Sequence, residues 1–156
     1  MITSITYRKA ELQDLPRIKE LLLKSYLPAS DLGESTIDFI IAETGDNNVA
    51  GCIGVERYCV DGLLRSFAVD KLLRSQHIGR RLLDELLYYS RQRNIQQLHL
   101  LTTTAEKYFE RAGFITVARS EAPHSIRSTT EFSSLCPSSS AYIVKNITQP
   151  LNMQKV

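Results

Sequence analysis

The stretch LLRSFAVDKLLRSQHIGRRLL, residues 63–83, decides the architecture. Leu63 to Val69 is apolar with little alternation, the pattern of a strand covered on both faces. A short loop follows, carrying Arg74, Ser75, Gln76, His77 and Gly79. Ile78, Leu82, Leu86 and Tyr89 then recur at helical spacing with Leu83 and Leu87 beside them, while Arg80, Arg81, Asp84, Glu85 and Arg91 fall outside that stripe. A strand that runs through a short loop into a long helix leaves unpaired backbone N–H groups and a partial positive charge at the helix start. Such an end suits a phosphate-bearing ligand, and Arg74, Arg80 and Arg81 add cations to it. The same segment also reads as a plain strand-to-helix connection.

Working outward, the spacing predicts a strand over 2–8 and a helix over 12–25, the latter opened by Asp14 and Pro16 and striped by Leu15, Ile18 and Leu22. Pro28 to Gly33 reads as a loop, 35–44 as a second strand and 49–58 as a third. Gly51 and Gly54 within the third mark irregularity or close backbone approach. Asp61-Gly62 is a hairpin signal ahead of the fourth strand. Beyond the long helix, Leu98 to Leu101 is a short strand. Ala105, Tyr108, Phe109 and Ala112 make a short helix, capped by Thr103 or Thr104 and ended by a left-handed Gly113. Strands over 114–118 and 141–147 flank a hydroxyl-rich segment with one helical turn near 122–127. The order β α β β β α β α β β predicts an α/β (α+β) fold, a mixed, twisted sheet of six or seven strands with about four helices on both faces. Residues 1–147 are expected to form one domain and 148–156 a tail.

The 156 residues are 43% hydrophobic and 23% charged, enough for a core without metals or disulfides. Lys+Arg 19 against Asp+Glu 17 gives +2, which argues against a nucleic-acid footprint. Cys52, Cys59 and Cys136 are an odd set without a C-x-x-C pair, and His77, His99 and His124 show no metal spacing. Free thiols, no metal and a reducing compartment follow. The opening run lacks the apolar core of a signal peptide, and no apolar run approaches 18 residues. A cytoplasmic protein with no membrane partner is expected.

The loop Arg74 to Gly79 followed by Leu82-Leu83 resembles the R-x-x-G-x-G/A motif of the GNAT acetyltransferase superfamily. LHLLTTTAEKYFERAGF, residues 98–114, resembles that family's following strand, helix and terminal Gly-Phe. With SEAPHSIRSTTEFSSLCPSSSAYIV, residues 120–144, the similarity is closest to small acetyltransferases of arsenic-resistance operons. It extends more distantly to the acetyltransferase domain of N-acetylglutamate synthase. The resemblance implies the GNAT fold, acetyl-CoA as co-substrate, direct acetyl transfer, and an amino acid or toxic amino-acid analogue as acceptor. It implies that backbone N–H groups near Phe67, Ala68 and Val69 polarise the thioester and that Arg74, Ser75, Gln76, His77, Ile78, Gly79 and Arg80 hold the pyrophosphate. Three positions depart from the pattern. His77 stands where the first motif glycine is usual, Phe109 where many members carry a tyrosine acid, and Leu63 where the synthase pattern has a glutamate.

Glu56 and Arg65 lie opposite each other if the chain turns tightly near Val60-Asp61. They read either as a cross-strand ion pair or as a proton relay (Glu56) beside an acceptor-carboxylate clamp (Arg65). Among Thr102, Thr103 and Thr104, Thr102 is the candidate donor to the departing thiolate. Arg127 offers a fork for a carboxylate- or phosphonate-like group, or is a surface residue. Cys136 is a thiol near the acceptor or a buried one. The expected partner is a small-molecule amine, with a homodimer compatible. The rival readings are a non-catalytic acyl-CoA-binding sensor or interaction module, and an acetyltransferase acting on a protein N-terminus or lysine.

Overall fold

The computed structural model describes residues 4–32, 36–136 and 138–148, with Ser75 described by its backbone alone. Among these residues seven strands form one sheet in the order β1-β2-β3-β4-β5-β7-β6. The strands are β1 Ile5–Lys9, β2 Ile37–Thr44, β3 Val49–Tyr58, β4 Asp61–Val69, β5 Gln97–Thr102, β6 Ile115–Val117 and β7 Ala141–Asn146. Four α-helices accompany them: α1 Leu15–Lys24, α2 Ile78–Gln92, α3 Glu106–Arg111 and α4 His124–Arg127. The β4–β5 pairing is parallel; the β1–β2, β2–β3, β5–β7 and β6–β7 pairings are antiparallel. This is the mixed α/β architecture expected. No helix among the described residues is long and apolar enough to cross a membrane.

The residues fall into two compact units, 1–56 with 64–88 and 57–63 with 89–156. In the first, Ile18, Leu21 and Leu22 of α1 bury against Phe39, Ile41, Cys52 and Ala68 of the strands. The α2 stripe is buried as its spacing requires: Ile78, Leu82 and Leu86 are fully covered. Gly51 lets this helix approach β3. A Cβ there would stand 2.9 Å from Leu82 Cδ1, 3.1 Å from the Ala68 carbonyl oxygen and 3.3 Å from Ile78 Cγ2. In the second unit Leu63, Ala122, Ile126 and Tyr142 form a core joined by Tyr58, Leu101 and Phe132.

Several boundaries differ from expectation for physical reasons. Asp14 does not cap α1 with its side chain. Its carboxylate accepts from Arg8 Nη1 at 2.9 Å and from the Glu11 N–H at 2.7 Å, and it also pairs with Arg17. A single turn of 3-10 helix, Leu12–Asp14, therefore precedes the helix proper. The hairpin turn falls at Cys59-Val60, where Cys59 is left-handed (φ 56°), and Asp61-Gly62 opens β4 instead. Cys59 is exposed. The end of α3 follows its sequence signature. Gly113 has φ 96°, its N–H bonds Glu110 O at 3.0 Å, and the Phe114 N–H bonds Phe109 O at 3.0 Å. The Phe109 and Phe114 rings meet edge to face at 5.3 Å, the apolar contact that closes such a stop. Beyond α4, a wide five-residue turn over Glu131–Leu135 was not expected. The start of the first strand, the 33–35 stretch, Pro137 and the tail beyond 148 lie outside the described residues.

Candidate functional site

The β4-to-α2 connection is built by local chemistry. Asp70 turns the chain out of β4, its carboxylate accepting the Leu72 N–H at 3.0 Å, while its own N–H is held by Ala50 O at 2.8 Å. A 3-10 turn over Lys71–Gln76 follows, and Arg74 Nε donates to Val69 O at 3.3 Å, bracing the loop to the strand it left. His77 ends the turn with φ 59°, ψ 22°. That left-handed conformation favours glycine, and it gives a backbone reason for the glycine usual here. α2 begins at the next residue, so the N–H groups of its first turn, from Ile78 through Arg80, have no acceptor within the helix.

The predicted cofactor residues divide by what their side chains do. Gln76 and His77 are exposed and Gly79 is half-buried. Ile78 is fully buried and anchors the loop, so only its N–H can serve a ligand. Arg80 Nε contacts Asp84 at 3.2 Å, an exposed i, i+4 pair. Arg81 stacks on Tyr7, 4.6 Å from its centroid, and pairs with Glu85 at 2.9 Å. The cradle of this loop is thus backbone more than side chain. In β4, Ala68 belongs to the core, and Phe67 and Val69 are half-buried. Ser66 is left-handed (φ 57°) and breaks the strand's alternation between Arg65 and Phe67.

Arg65 and Glu56 come together as the turn arithmetic suggested, with a third member that it did not. Arg65 Nη1 donates to Glu56 Oε1 at 2.9 Å and to Asp31 Oδ2 at 2.5 Å. Nη2 donates to Asp31 Oδ1 at 2.6 Å, and Nε to Ser66 Oγ at 2.9 Å. The side chains of Asp31, Arg65 and Glu56 are 1%, 0% and 2% exposed. The Arg65 fork holds the Asp31 carboxyl below its ordinary range against the opposing effect of burial. Of the two readings of this pair, the structure shows the ion pair, and the Arg65 fork grips the Asp31 carboxylate as well. Beside it, burial pushes the Cys52 thiol up to about 12, and its Sγ lies 3.3 Å from Ser66 O.

The second unit holds the remaining candidates. Thr102 closes the turn ahead of α3: its Oγ1 accepts from Ala105 N at 2.9 Å and Thr104 N at 3.3 Å. The tether expected of Thr103 or Thr104 therefore belongs to Thr102, which lies before the helix and not at its cap. Phe109 is buried, as its apolar stripe requires. Arg127 is exposed at the end of α4. Cys136 Sγ lies 3.7 Å from Glu131 Oε1. Among the described residues no three His, Cys, Asp or Glu side chains are placed to hold a metal.

One polar chain in this unit was missed in the sequence. His99 is buried, with Nε2 2.8 Å from Asp61 Oδ1 and Nδ1 2.6 Å from Tyr142 Oη. In the neutral tautomer whose Nε2–H donates to the Asp61 carboxylate, Nδ1 accepts from the Tyr142 hydroxyl. Burial, with Asp61 and Glu121 adding negative charge, pushes the Tyr142 phenol up to about 12. The three residues tie β4, β5 and β7. A histidine inside the apolar run LHLL signals such a need for partners, but neither partner's distance in sequence can be read from it.

An acetyltransferase (GNAT) domain model matches residues 35–116. The chain is 33% identical over 118 residues to an amino-acid acetyltransferase of Mycobacterium tuberculosis, covering 69% of this chain and 66% of that protein. N-acetylglutamate synthase from Neisseria gonorrhoeae, solved with coenzyme A and N-acetyl-glutamate, superposes with a TM-score of 0.77 at 22% identity; the match covers 96% of this chain and 36% of that one. A ribosomal-protein alanine N-acetyltransferase from Escherichia coli gives a TM-score of 0.68 at 20% identity, covering 94% of this chain and 96% of that one. The chain thus spans just under two thirds of the curated relative and about a third of the synthase. At these identities the two solved structures speak to the fold alone, and it is a fold shared by proteins with small-molecule and with protein acceptors. The family model, matching more than half of the chain, carries the further conclusion: the chain belongs to the GNAT acetyltransferase domain family.

Proposed function

We propose that the chain transfers an acetyl group from acetyl-CoA to the amine of a small molecule, an amino acid or a toxic analogue such as a phosphono- or arsono-amino acid. The observation that carries this is the backbone cradle from Arg74 to Gly79, open at the start of α2 in a member of this family. The cofactor's pyrophosphate would lie on those N–H groups, where the helix dipole favours negative charge. Backbone N–H groups near Phe67 to Val69 would take the developing negative charge of the thioester oxygen. Glu56, directly or through a water, would accept a proton from the acceptor's ammonium group. The neutral amine then attacks the carbonyl carbon, a C–N bond forms, and the C–S bond breaks with its electron pair leaving on sulfur. The thiolate takes a proton from water or from the Thr102 hydroxyl. The amino-acid acceptor is supported by the 33% identical relative's name, and Arg127 and Cys136 remain its candidate contacts. A cytoplasmic site of action is part of the same proposal.

A thiol-release assay with acetyl-CoA against free amino acids, phosphono- and arsono-amino acids and peptides tests the reading, with CoA binding measured in parallel. Turnover on the free amino acids or their analogues supports it, and turnover on peptides alone replaces its acceptor. Gly79→Glu, which adds bulk and negative charge to the cradle, should abolish CoA binding. Unchanged affinity would refute the cradle. A second reading, a CoA-binding module without catalysis, is favoured by one observation: Phe109, in place of a tyrosine acid, is locked in the α3 stop. CoA binding without turnover on any acceptor class would select it.

A further inference from the structure

The first compact unit carries a groove that takes no part in the proposed transfer. Its volume is about 800 Å³, and none of the residues from Arg74 to Gly79 lines it. Leu21 of α1, Val49 and Ala50 of β3 and Leu73 of the following turn give it an apolar lining, a size and character that suit a small organic molecule. Tyr26 and Leu72 also line it, and at 91% and 89% exposed they are the two most exposed large apolar side chains among the described residues. One such residue is ordinary; two at the mouth of one groove mark a contact surface. Tyr26 is also strained. It stops α1 with φ 58°, its N–H on Leu23 O at 3.2 Å and the Leu27 N–H on Leu22 O at 3.0 Å. Glycine is usual at that position and would end the helix with less strain, so the stop itself does not call for the ring.

The charges lining the groove set the sign of its occupant. Arg17 is engaged by Asp14 and Glu43, and Lys24 by Glu20 at 3.1 Å. Asp46 and Asp70 line it without an ion-pair partner among the described residues, and Lys71 is the single cation left against them. Negative charge is therefore in excess. Hydrogen bonds, that of the Thr44 hydroxyl foremost, hold the Asp46 carboxyl below its ordinary range. The exposed Tyr26 ring adds a face that attracts a cation. An apolar floor, an aromatic face and surplus carboxylate complement one chemical class. We infer that the groove binds a small amphipathic amine, its ammonium group drawn to Asp46, Asp70 and the Tyr26 ring and its apolar body laid against Leu21, Val49 and Leu73.

The probe is phenethylammonium, with hydrocinnamate as a body of similar size and opposite charge. Titrated into the isotopically labelled full chain and followed by amide NMR, the amine should shift the resonances of Tyr26, Asp46, Asn48 and Leu72 in one saturable phase, and hydrocinnamate should leave them in place. Tyr26→Gly keeps the helix stop and removes the ring, and it should weaken amine binding about 2–5-fold. Asp46→Asn should weaken it about 2–5-fold as well, the range for an exposed charge pair. If Asp46→Asn does not fold, Asp46→Ser carries the same expectation. Saturable shifts that leave these four amides unmoved place the amine elsewhere, as at the acceptor site of the proposed transferase, and overturn the inference. A dissociation constant above about 10 mM overturns it too, being too weak for a site. So does hydrocinnamate binding as tightly as the amine, or either variant binding the amine as tightly as the unsubstituted chain. None of these results bears on acetyl transfer, which the thiol-release assay reads separately.

Discussion

Replacing Arg65 by Met removes the one cation shown bridging Asp31 and Glu56 while keeping most of the side-chain volume. Both carboxylates stay in a site where their side chains are 1% and 2% exposed, without the guanidinium hydrogen bonds of 2.5 to 2.9 Å that hold them in the wild type. Breaking a buried ion pair by deleting one partner costs about 3–5 kcal/mol. For a chain of this length each kcal/mol moves Tm by about 2–4 °C, so Arg65→Met should melt about 6–20 °C lower at pH 7. The pH dependence carries a second, signed expectation. In the wild type the Asp31 carboxyl is held down, so its contribution is present above the unfolded value near 4 and is lost as pH falls below it. Without Arg65, burial is the larger remaining effect on Asp31 and raises it against a backbone hydrogen bond that lowers it, so the variant gains stability as pH falls. The gap between the two proteins should be widest near neutrality and shrink below about pH 4. Thermal melts from pH 7 down to pH 3, read by circular dichroism, measure both. Adding Asp31→Leu to Arg65→Met should restore part of the loss, since a carboxylate without its partner goes with it. A Tm within about 3 °C of wild type at pH 7, or a gap that ignores pH, would refute the account of this network.

Three further outcomes are expected. His77→Gly relieves a left-handed residue, worth about 1–2 kcal/mol, against about 0.5–1 kcal/mol of extra chain entropy in the unfolded state. Its Tm should rise slightly and its CoA dissociation constant fall in calorimetry. A weaker grip would instead make the imidazole a phosphate donor. Tyr142→Phe leaves His99 Nδ1 without the hydroxyl 2.6 Å away, and urea unfolding should show a loss of about 1–3 kcal/mol. Asp14 and Glu43 are both held below their ordinary values, Asp14 by Arg8, the Glu11 N–H and Arg17, and Glu43 by Arg8 and Arg17. Their stabilisation is complete above about pH 4.5 and is lost as pH falls, so Asp14→Asn should flatten the acid side of the stability curve if melts are compared between pH 6 and pH 2.

How much of this was written in the sequence depends on how far each signal reaches. The α2 stripe, the Gly113 stop and the alternation of strands and helices are local, and each survives in the structure within a few residues. Glu56 and Arg65 are nine apart and joined by a tight turn, so hairpin arithmetic brought them together. Asp31 reaches the same guanidinium from 34 residues away, out of a connector whose composition says only loop. Asp61 was hidden for a different reason. Asp-Gly is a strong turn signal, but the turn formed two residues earlier at Cys59-Val60, which turned Asp61 from a loop residue into a strand residue facing His99. Thr102 shows the limit of residue type alone. Three consecutive threonines are indistinguishable in the sequence, and the hydrogen bonds to Ala105 and Thr104 select the first.

Gly51 lies outside the loop that would hold a phosphate, yet a single added methyl there would meet Leu82, Ile78 and the Ala68 carbonyl at once. Ile78 is the first residue of α2, so the same contact that seats the helix on the sheet also sets the height of its opening N–H groups. With the cofactor held as proposed, its grip would be adjustable from beneath, like the bridge under a string. A side chain at residue 51 would lift the helix start without altering a single group that faces the ligand. Affinity could drift there during divergence, or be tuned by design, while every recognisable motif residue stays the same.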